Sequence, residues 1–125
     1  MKVLVVDDDK TTRKMISLIL KSKGYEVVTA ENGIEALQKL GLENINLILT
    51  DMNMPYMDGI EFTKQVRATS DFSQIPIVML TTEADEEEKK RAFEAGVDDY
   101  LVKPASGEHI VESMKRIIKK IFGKN

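Results

Sequence analysis

Short apolar runs alternate with longer amphipathic stretches along the whole chain, which is typical of strand-helix units that build a parallel sheet. Five such units can be counted, and they predict a single doubly wound α/β domain with five parallel strands. The predicted strands cover residues 3–6, 26–29, 47–49, 77–80 and 100–102.

The predicted helices are bounded by residues that commonly begin or end helices. Gly24, Gly41 and Gly96 are expected to end the first, second and fourth helices, and Asn32 is a plausible N-cap of the second. The first helix is predicted over residues 11–23, and the fourth over residues 84–95. Helix five carries one apolar stripe, formed by Ile110, Met114, Ile117, Ile118 and Ile121.

Predicted helix four differs from the others because residues 85–91 are seven charged residues in a row. Ala84, Ala92 and Phe93 are its apolar residues, so we expect weak anchorage to the core. A solvated helix face is the favoured interpretation of this charge run. A helix with little buried area is also a candidate for movement, because mobile elements come from the less stable parts of a structure.

Composition narrows the function classes. The chain has 125 residues, which predicts one domain over residues 1–125, and its formal net charge of −3 argues against nucleic-acid binding. Zero cysteines exclude disulfides and thiolate zinc sites, and fit a reducing, cytoplasmic compartment. The apolar start of the chain is too short for a signal peptide, and no segment approaches a membrane span.

Residues that could bind a ligand or take part in a reaction follow four of the five predicted strands. Asp7, Asp8 and Asp9 follow the first strand, and Asp51 follows the third. In an open parallel sheet, ligands bind outside the carboxyl ends of the strands. Carboxylates that meet there repel each other and invite a divalent cation, and Mg²⁺ prefers such oxygen ligands.

We therefore predict that Asp7, Asp8 and Asp51 hold Mg²⁺. The alternative for this acidic group is a cluster that caps a helix. For Asp9 that alternative is favoured, since it lies one step further into the turn and could cap helix one.

Phosphoryl transfer is a chemistry that the strand ends could support together. A carboxylate such as Asp51 is a competent nucleophile that can form an aspartyl phosphate. Transfer requires charge neutralisation on the phosphoryl oxygens, which the Lys103 ammonium and the Thr81 hydroxyl could supply. A cis bond between Lys103 and Pro104 would fix the direction of the lysine. Taken singly, Thr81 could be a polar strand end and Lys103 a surface lysine. The combination of all these groups in this order is what indicates phosphoryl transfer.

Four segments together resemble the receiver domain of bacterial two-component response regulators, and most closely single-domain, CheY-like regulators. They are residues 5–8 (Val-Val-Asp-Asp), 51–59 (Asp-Met-Asn-Met-Pro-Tyr-Met-Asp-Gly), 81–84 (Thr-Thr-Glu-Ala) and 99–104 (Asp-Tyr-Leu-Val-Lys-Pro). The resemblance spans nearly the whole chain. It implies a flavodoxin-like sheet with the strand order 2-1-3-4-5.

The resemblance also implies the role of each residue at the site. Asp51 would be the phosphoacceptor, with Asp7, Asp8 and the backbone carbonyl of Asn53 helping to hold Mg²⁺. Lys103 and Thr81 would contact the phosphoryl group.

A switch is implied as well, in which phosphorylation draws Thr81 inward and Tyr100 turns toward the space that it leaves. Without the family, Tyr100 would be read as an aromatic that covers the sheet edge. Asn53, Thr82 and Glu83 would flank the site and tune phosphoryl hydrolysis.

Two residues depart from the usual pattern of the family. Thr82 stands where many relatives carry alanine, and a bulkier group there could slow access to the phosphoryl site. Ala105 follows Lys103 and Pro104 where many relatives carry phenylalanine, so the packing at the start of helix five could differ.

The implied partners are a histidine kinase as phosphodonor and a downstream protein, such as a flagellar motor switch protein or a phosphotransferase. The expected partner surface is formed by helix four, strand five and helix five, and we expect a monomer. An intermediate receiver in a phosphorelay is an open alternative.

Three other classes of protein share part of this pattern. A phosphatase of the haloacid dehalogenase type would use the same nucleophile, suggested by residues 51–53 (Asp-Met-Asn), but in those enzymes the nucleophile follows the first strand. A flavodoxin shares the strand order, but its phosphate-binding loop is missing after strand one, where the acids would repel a flavin phosphate. A receiver fold that serves only as a docking module is ranked low because all key groups are present.

Overall fold

The computed structural model describes residues 1–123 and contains a five-stranded parallel sheet in the order β2-β1-β3-β4-β5. The predicted fold class and strand order are confirmed. The strands are β1 (Lys2–Val6), β2 (Glu26–Ala30), β3 (Leu47–Thr50), β4 (Ile77–Thr81) and β5 (Asp99–Val102). The helices are α1 (Lys10–Ser22), α2 (Gly33–Leu42), α3 (Gly59–Ala68), α4 (Glu86–Ala95) and α5 (Gly107–Phe122). Residues 124 and 125 of the predicted domain lie outside the described residues.

The helices cover the two faces of the sheet, because successive side chains of each strand point to opposite sides. Leu4 and Val6 of β1 pack in the core cluster that contains residues of α2, α3 and α4. Val3 and Val5 pack in the second cluster, with residues of α1 and α5. Strands buried on both faces read as continuous apolar runs, which is why the central strands show no polar alternation.

Side-chain caps set several helix starts. Asp9 accepts a hydrogen bond from the Thr12 N–H and caps α1, as predicted, and Asn32 caps α2. Asp85 caps α4, so this helix begins at Glu86, two residues later than predicted. The first helix lies one residue earlier at each end than the predicted range.

The glycine predictions had mixed outcomes. Gly24 and Gly96 have positive φ angles of 91° and 120° just after α1 and α4, which is the conformation that ends many helices. The prediction that Gly41 ends the second helix is wrong. The Glu43 N–H donates to the Lys39 carbonyl, so the helical hydrogen bonding continues past Gly41.

The two helices beside β5 are anchored very differently. Within α4, Ala92 is the buried residue, whereas α5 buries Ile110, Val111, Ser113, Met114 and Ile117. The expected weak anchorage of helix four is confirmed. Within residues 1–123, every helix is too short or too polar to cross a lipid bilayer.

Candidate functional site

The predicted site residues meet at the carboxyl end of the sheet. Asp7 follows β1 and Asp51 follows β3, and these strands are hydrogen-bonded neighbours. Thr81 is the last residue of β4, and Lys103 follows β5. Carboxylate oxygens of Asp7, Asp8 and Asp51 lie within 4.8 Å of one another, so the strand order brings together the three acids that the sequence singled out.

Lys103 lies between two of these acids. Its Nζ donates a hydrogen bond to Asp7 Oδ2 at 2.9 Å and lies 3.6 Å from Asp51 Oδ2. Burial alone would lower the pKa of Lys103, but the hydrogen bond to Asp7 and the charge of Asp51 outweigh it and raise the pKa. The side chain is therefore a fixed ammonium group at the site. The bond to Pro104 is cis, the isomer that the sequence analysis raised as possible.

Asp51 is held on both its backbone and its side chain. Its N–H donates to the Val6 carbonyl, and its Oδ1 accepts the Met52 N–H at 2.8 Å. Burial raises the pKa of Asp51 above its ordinary value, and the nearby charge of Asp7 adds to this, whereas Lys103 acts in the opposite direction. A carboxylate that carries charge at a desolvated position benefits from a bound cation.

The loop between β1 and α1 is fixed by a residue that the sequence analysis missed. Arg13 donates from its guanidinium to the Asp7 backbone carbonyl at 2.8 Å, and the Asp9 N–H donates to Asp7 Oδ1 at 2.9 Å. Asp8 is exposed beside them. A cation one helical turn after an acidic loop could have indicated this contact, because it can reach back to the loop.

Thr81 and Tyr100 both bind the backbone of Glu83. The Thr81 Oγ1 accepts the Glu83 N–H at 3.2 Å, and the Tyr100 hydroxyl donates to the Glu83 carbonyl at 2.6 Å. Both side chains are buried, Tyr100 being only 6% exposed. Burial, followed by the charge of Glu83, raises the pKa of Tyr100, so its hydroxyl remains a donor at neutral pH. The segment between β4 and α4 thus connects the site to β5.

The remaining predicted residues lie around this centre. Asn53 is exposed in the loop between β3 and α3, and Thr82 is exposed after β4. Thr82, Lys103 and Ala105 line a cavity of about 390 Å³ that also contacts α1. Ala105 lies in the wall of this cavity, and altered packing at the start of helix five stays a prediction.

The donor set fits the predicted metal. Asp7, Asp8 and Asp51 offer carboxylate oxygens at one place, and a hard divalent cation such as Mg²⁺ binds through one or two carboxylates together with water and substrate oxygens. Receiver domains generally use Mg²⁺, and the acidic cluster is consistent with that use.

The family model described as the response regulator receiver domain matches residues 3–115. The chain therefore belongs to the response regulator receiver domain family. CheY-like receiver domains are signalling proteins.

Among its relatives, the chain is 42% identical over 120 residues to the chemotaxis protein CheY1 of Helicobacter pylori, covering 94% of this chain and 97% of that protein. The solved structure of CheY4 from Vibrio cholerae superimposes with a TM-score of 0.87 at 43% identity, covering 93% of this chain and 97% of the other. The transcriptional regulatory protein ResD of Bacillus subtilis is also 42% identical over 120 residues, but these are 95% of this chain and 48% of ResD. The chain is thus similar to receiver domains that stand alone and to one within a longer regulator.

Proposed function

We propose that this protein is a phosphorylation-activated switch of a two-component system, of the chemotaxis type, with Asp51 as the phosphoacceptor. The observation that supports this most directly is the arrangement around Asp51: the Lys103 ammonium lies 3.6 Å from Asp51 Oδ2, and carboxylate oxygens of Asp7 and Asp8 lie within 4.8 Å of an Asp51 oxygen. This arrangement offers a nucleophile, a fixed cation and ligands for a second cation.

The phosphodonor in this proposal is a phosphohistidine of a histidine kinase. An oxygen of Asp51 forms a bond to phosphorus while the bond from phosphorus to the imidazole nitrogen breaks, and the leaving imidazole takes up a proton. Lys103 and the Thr81 hydroxyl contact the phosphoryl oxygens. Asp7, Asp8, Asp51 and the Asn53 carbonyl would hold Mg²⁺, which neutralises charge on the phosphoryl group when bound.

The proposed output passes through the backbone of Glu83. Thr81 binds the N–H of this residue and Tyr100 binds its carbonyl. A movement of Thr81 toward a phosphoryl group would therefore shift the backbone that Tyr100 contacts. Tyr100 belongs to β5, between α4 and α5, and we propose this face as the surface for a downstream protein such as a flagellar motor switch protein or a phosphotransferase. Asn53, Thr82 and Glu83 flank the site and tune the phosphoryl lifetime.

The test is incubation with acetyl phosphate and Mg²⁺, followed by intact-mass measurement. We expect one added phosphate on the parent and none on Asp51→Asn. Asp58→Asn is a matched control, because Asp58 lies in the same loop and caps α3, and asparagine is an equally good cap. An equal gain of phosphate on Asp51→Asn would refute Asp51 as the acceptor.

The number of phosphate ester molecules that each protein molecule hydrolyses in the presence of Mg²⁺ separates the switch from the phosphatase alternative. A switch holds one phosphoryl group per molecule and hydrolyses phosphate esters slowly or not at all, whereas a phosphatase of the haloacid dehalogenase type would complete many cycles. Family membership and the position of Asp51 after β3 rather than β1 favour the switch.

A further inference from the structure

Thr50 is a buried polar residue at the end of an otherwise aliphatic strand. It is the last residue of β3, which reads Leu-Ile-Leu-Thr, and it is 1% exposed. A buried hydroxyl is costly unless it is hydrogen-bonded. The Thr50 Oγ1 donates to the backbone carbonyl of Asp51 at 2.9 Å, so its hydrogen bond goes to the residue that carries the proposed chemistry.

The carbonyl of Asp51 and the N–H of Met52 belong to one planar peptide unit. The same unit therefore has two contacts near the site: its carbonyl accepts the Thr50 hydroxyl, and its N–H donates to Asp51 Oδ1 at 2.8 Å. Because the unit is rigid, a bond that fixes the direction of the carbonyl also fixes the direction of the N–H. The Thr50 hydroxyl is therefore linked to the Asp51 carboxylate, because the peptide unit whose carbonyl it binds also donates its N–H to Asp51 Oδ1.

The start of α3 restrains the same carbonyl from another direction. A Cβ atom added at Gly59 would lie 2.1 Å from the Asp51 carbonyl oxygen, so only a glycine permits this approach. The Gly59 N–H also donates to the Met52 carbonyl at 2.7 Å. The peptide unit after Asp51 is therefore confined between Thr50 and the first turn of α3.

This confinement distinguishes the two oxygens of the Asp51 carboxylate. Oδ1 is occupied by the Met52 N–H, whereas Oδ2 lies 3.6 Å from the Lys103 ammonium. We propose that Thr50 is a positioning residue for phosphoryl transfer: its hydroxyl fixes the peptide unit that holds Oδ1, so that Oδ2 is presented to the phosphoryl group. This inference rests on the proposed role of Asp51 as acceptor.

With acetyl phosphate as donor, the step is a simple displacement. A bond forms between Asp51 Oδ2 and phosphorus, the bond from phosphorus to the acetyl oxygen breaks, and acetate leaves with the electron pair. Thr50 touches none of these atoms. Its removal should lower the rate because the carboxylate samples more orientations, and oriented reactants react faster.

The experiment compares three variants of the full chain. Thr50→Val keeps the shape of the side chain and removes the hydroxyl, and Thr50→Ser keeps the hydroxyl. Ser113→Ala is the control, because Ser113 is also a buried hydroxyl residue, and its hydrogen bond goes to the Asp99 carboxylate and not to the peptide unit after Asp51 or to the start of α3. The initial rate of phosphorylation by acetyl phosphate is followed by intact mass over a range of Mg²⁺ concentrations.

We expect Thr50→Val to react about fivefold more slowly than the parent, which corresponds to the loss of one ordinary hydrogen bond. Thr50→Ser should lie within about twofold of the parent by the same reasoning. Saturating Mg²⁺ should not restore the rate of the parent, because the metal does not replace the hydrogen bond of the Thr50 hydroxyl. Equal slowing of Thr50→Val and Ser113→Ala would overturn the inference, because it would mean a general effect of losing a buried hydrogen bond.

A measurement on the unphosphorylated protein separates this inference from the proposed function. In nitrogen-15 NMR spectra, the Met52 amide should shift upfield and exchange faster in Thr50→Val, but not in Ser113→Ala. If the parent accepts no phosphate, the proposed role of Asp51 fails, and the Met52 amide alone decides whether Thr50 holds the peptide unit. An unchanged Met52 amide together with an unchanged rate contradicts the inference while leaving the acceptor role of Asp51 intact.

Discussion

The two helices that flank β5 have similar surroundings but very different attachment. Helix α5 is attached to the sheet by five buried residues, whereas α4 contributes Ala92 and leaves Phe93 42% exposed. Elements that move in a switch are drawn from the less stable parts of a fold. The difference indicates that α5 serves as a fixed wall of the proposed partner surface and α4 as its adjustable wall.

Polar contacts follow the same division. On the α5 side, the Asp99 carboxylate accepts hydrogen bonds from the Ser113 hydroxyl and the Arg116 guanidinium, which tie the middle of α5 to the start of β5. On the α4 side, Arg67 donates to the Gly96 carbonyl just after the last residue of the helix. The first turns of α4 carry acids capped by Asp85. Helix α4 is therefore anchored near its carboxyl end by Arg67, whereas its first two residues are exposed and follow the segment that begins at Thr81.

The largest expected effect comes from removing core packing on the α5 side. Met114 is fully buried, so Met114→Ala should lower the free energy of unfolding by about 3 kcal/mol through lost contacts and a cavity. The corresponding change on the other helix, Phe93→Ala, should cost about 1 kcal/mol, less than Met114→Ala, because Phe93 is 42% exposed and its truncation leaves no closed cavity. Urea denaturation of both variants checks this. Equal losses would show that α4 is packed as firmly as α5 and would remove the basis of the comparison.

The next largest effect concerns the attachment at the carboxyl end of α4. The Arg67 guanidinium donates to the carbonyls of Gly96, Ser73 and Ile75 and pairs with Asp98 at 3.0 Å. Arg67→Met keeps much of the aliphatic volume but removes these bonds, and should cost about 2 kcal/mol.

Amide hydrogen exchange should locate this loss. In Arg67→Met, we expect faster exchange in the last turn of α4 and little change in α5 beyond the loss of global stability. Arg91→Met, on an exposed side chain of α4 that pairs with Glu88, is the control. If exchange in α4 stayed as slow as in the parent, Arg67 could not be its anchor.

Much of this arrangement follows from patterns that sequence can reveal. The buried strands, the acids after β1 and β3, and the apolar stripe of α5 each depend on local spacing, which is why the strand ends and the site residues Asp7, Asp51 and Lys103 could be placed in one crevice. The strand order came from resemblance to a family, because a parallel sheet leaves the order of its strands open to local patterns.

Local sequence patterns could not predict contacts between residues that are far apart in the chain. Arg67 meets Asp98 from 31 positions away, and no periodicity relates them. Thr50 was not singled out from the sequence, because the importance of its hydroxyl depends on the direction of the next carbonyl, which no local pattern reveals. Gly41 was misread because a glycine in the last turn resembles a terminator unless the hydrogen bond of Glu43 is known.

A smaller effect tests whether the freedom of α4 arises from packing or from charge at the site. Burial raises the pKa of Asp51, so the folded state binds this proton more tightly than the unfolded chain. The stabilisation is complete below the unfolded pKa of about 3.8 and is lost as the pH rises through the higher folded pKa. Asp51→Asn should therefore be more stable than the parent at pH 7, by less than the Arg67 effect.

The advantage of Asp51→Asn should shrink as the pH is lowered toward 4, and addition of Mg²⁺ should stabilise the parent more than the variant. Urea midpoints between pH 4 and 8, with and without Mg²⁺, measure both trends. In hydrogen exchange, α4 should remain less protected than α5 in the variant. Equal protection of the two helices would mean that charge at Asp51, rather than sparse packing, loosens α4.

The smallest effect concerns the hydrogen bond from Tyr100 of β5 to the segment before α4. Tyr100→Phe removes the hydroxyl that donates to the Glu83 carbonyl but keeps the buried ring, so it should cost about 1 kcal/mol or less. Because the bond reaches only this segment, exchange should accelerate at residues 82–86 and in the first turn of α4, while α5 keeps the protection of the parent. Tyr25→Phe, on the far side of the sheet, is the control. If Tyr100→Phe changed α4 and α5 alike, the adjustable and fixed walls would be one cooperative unit, and the switch could not act on α4 separately.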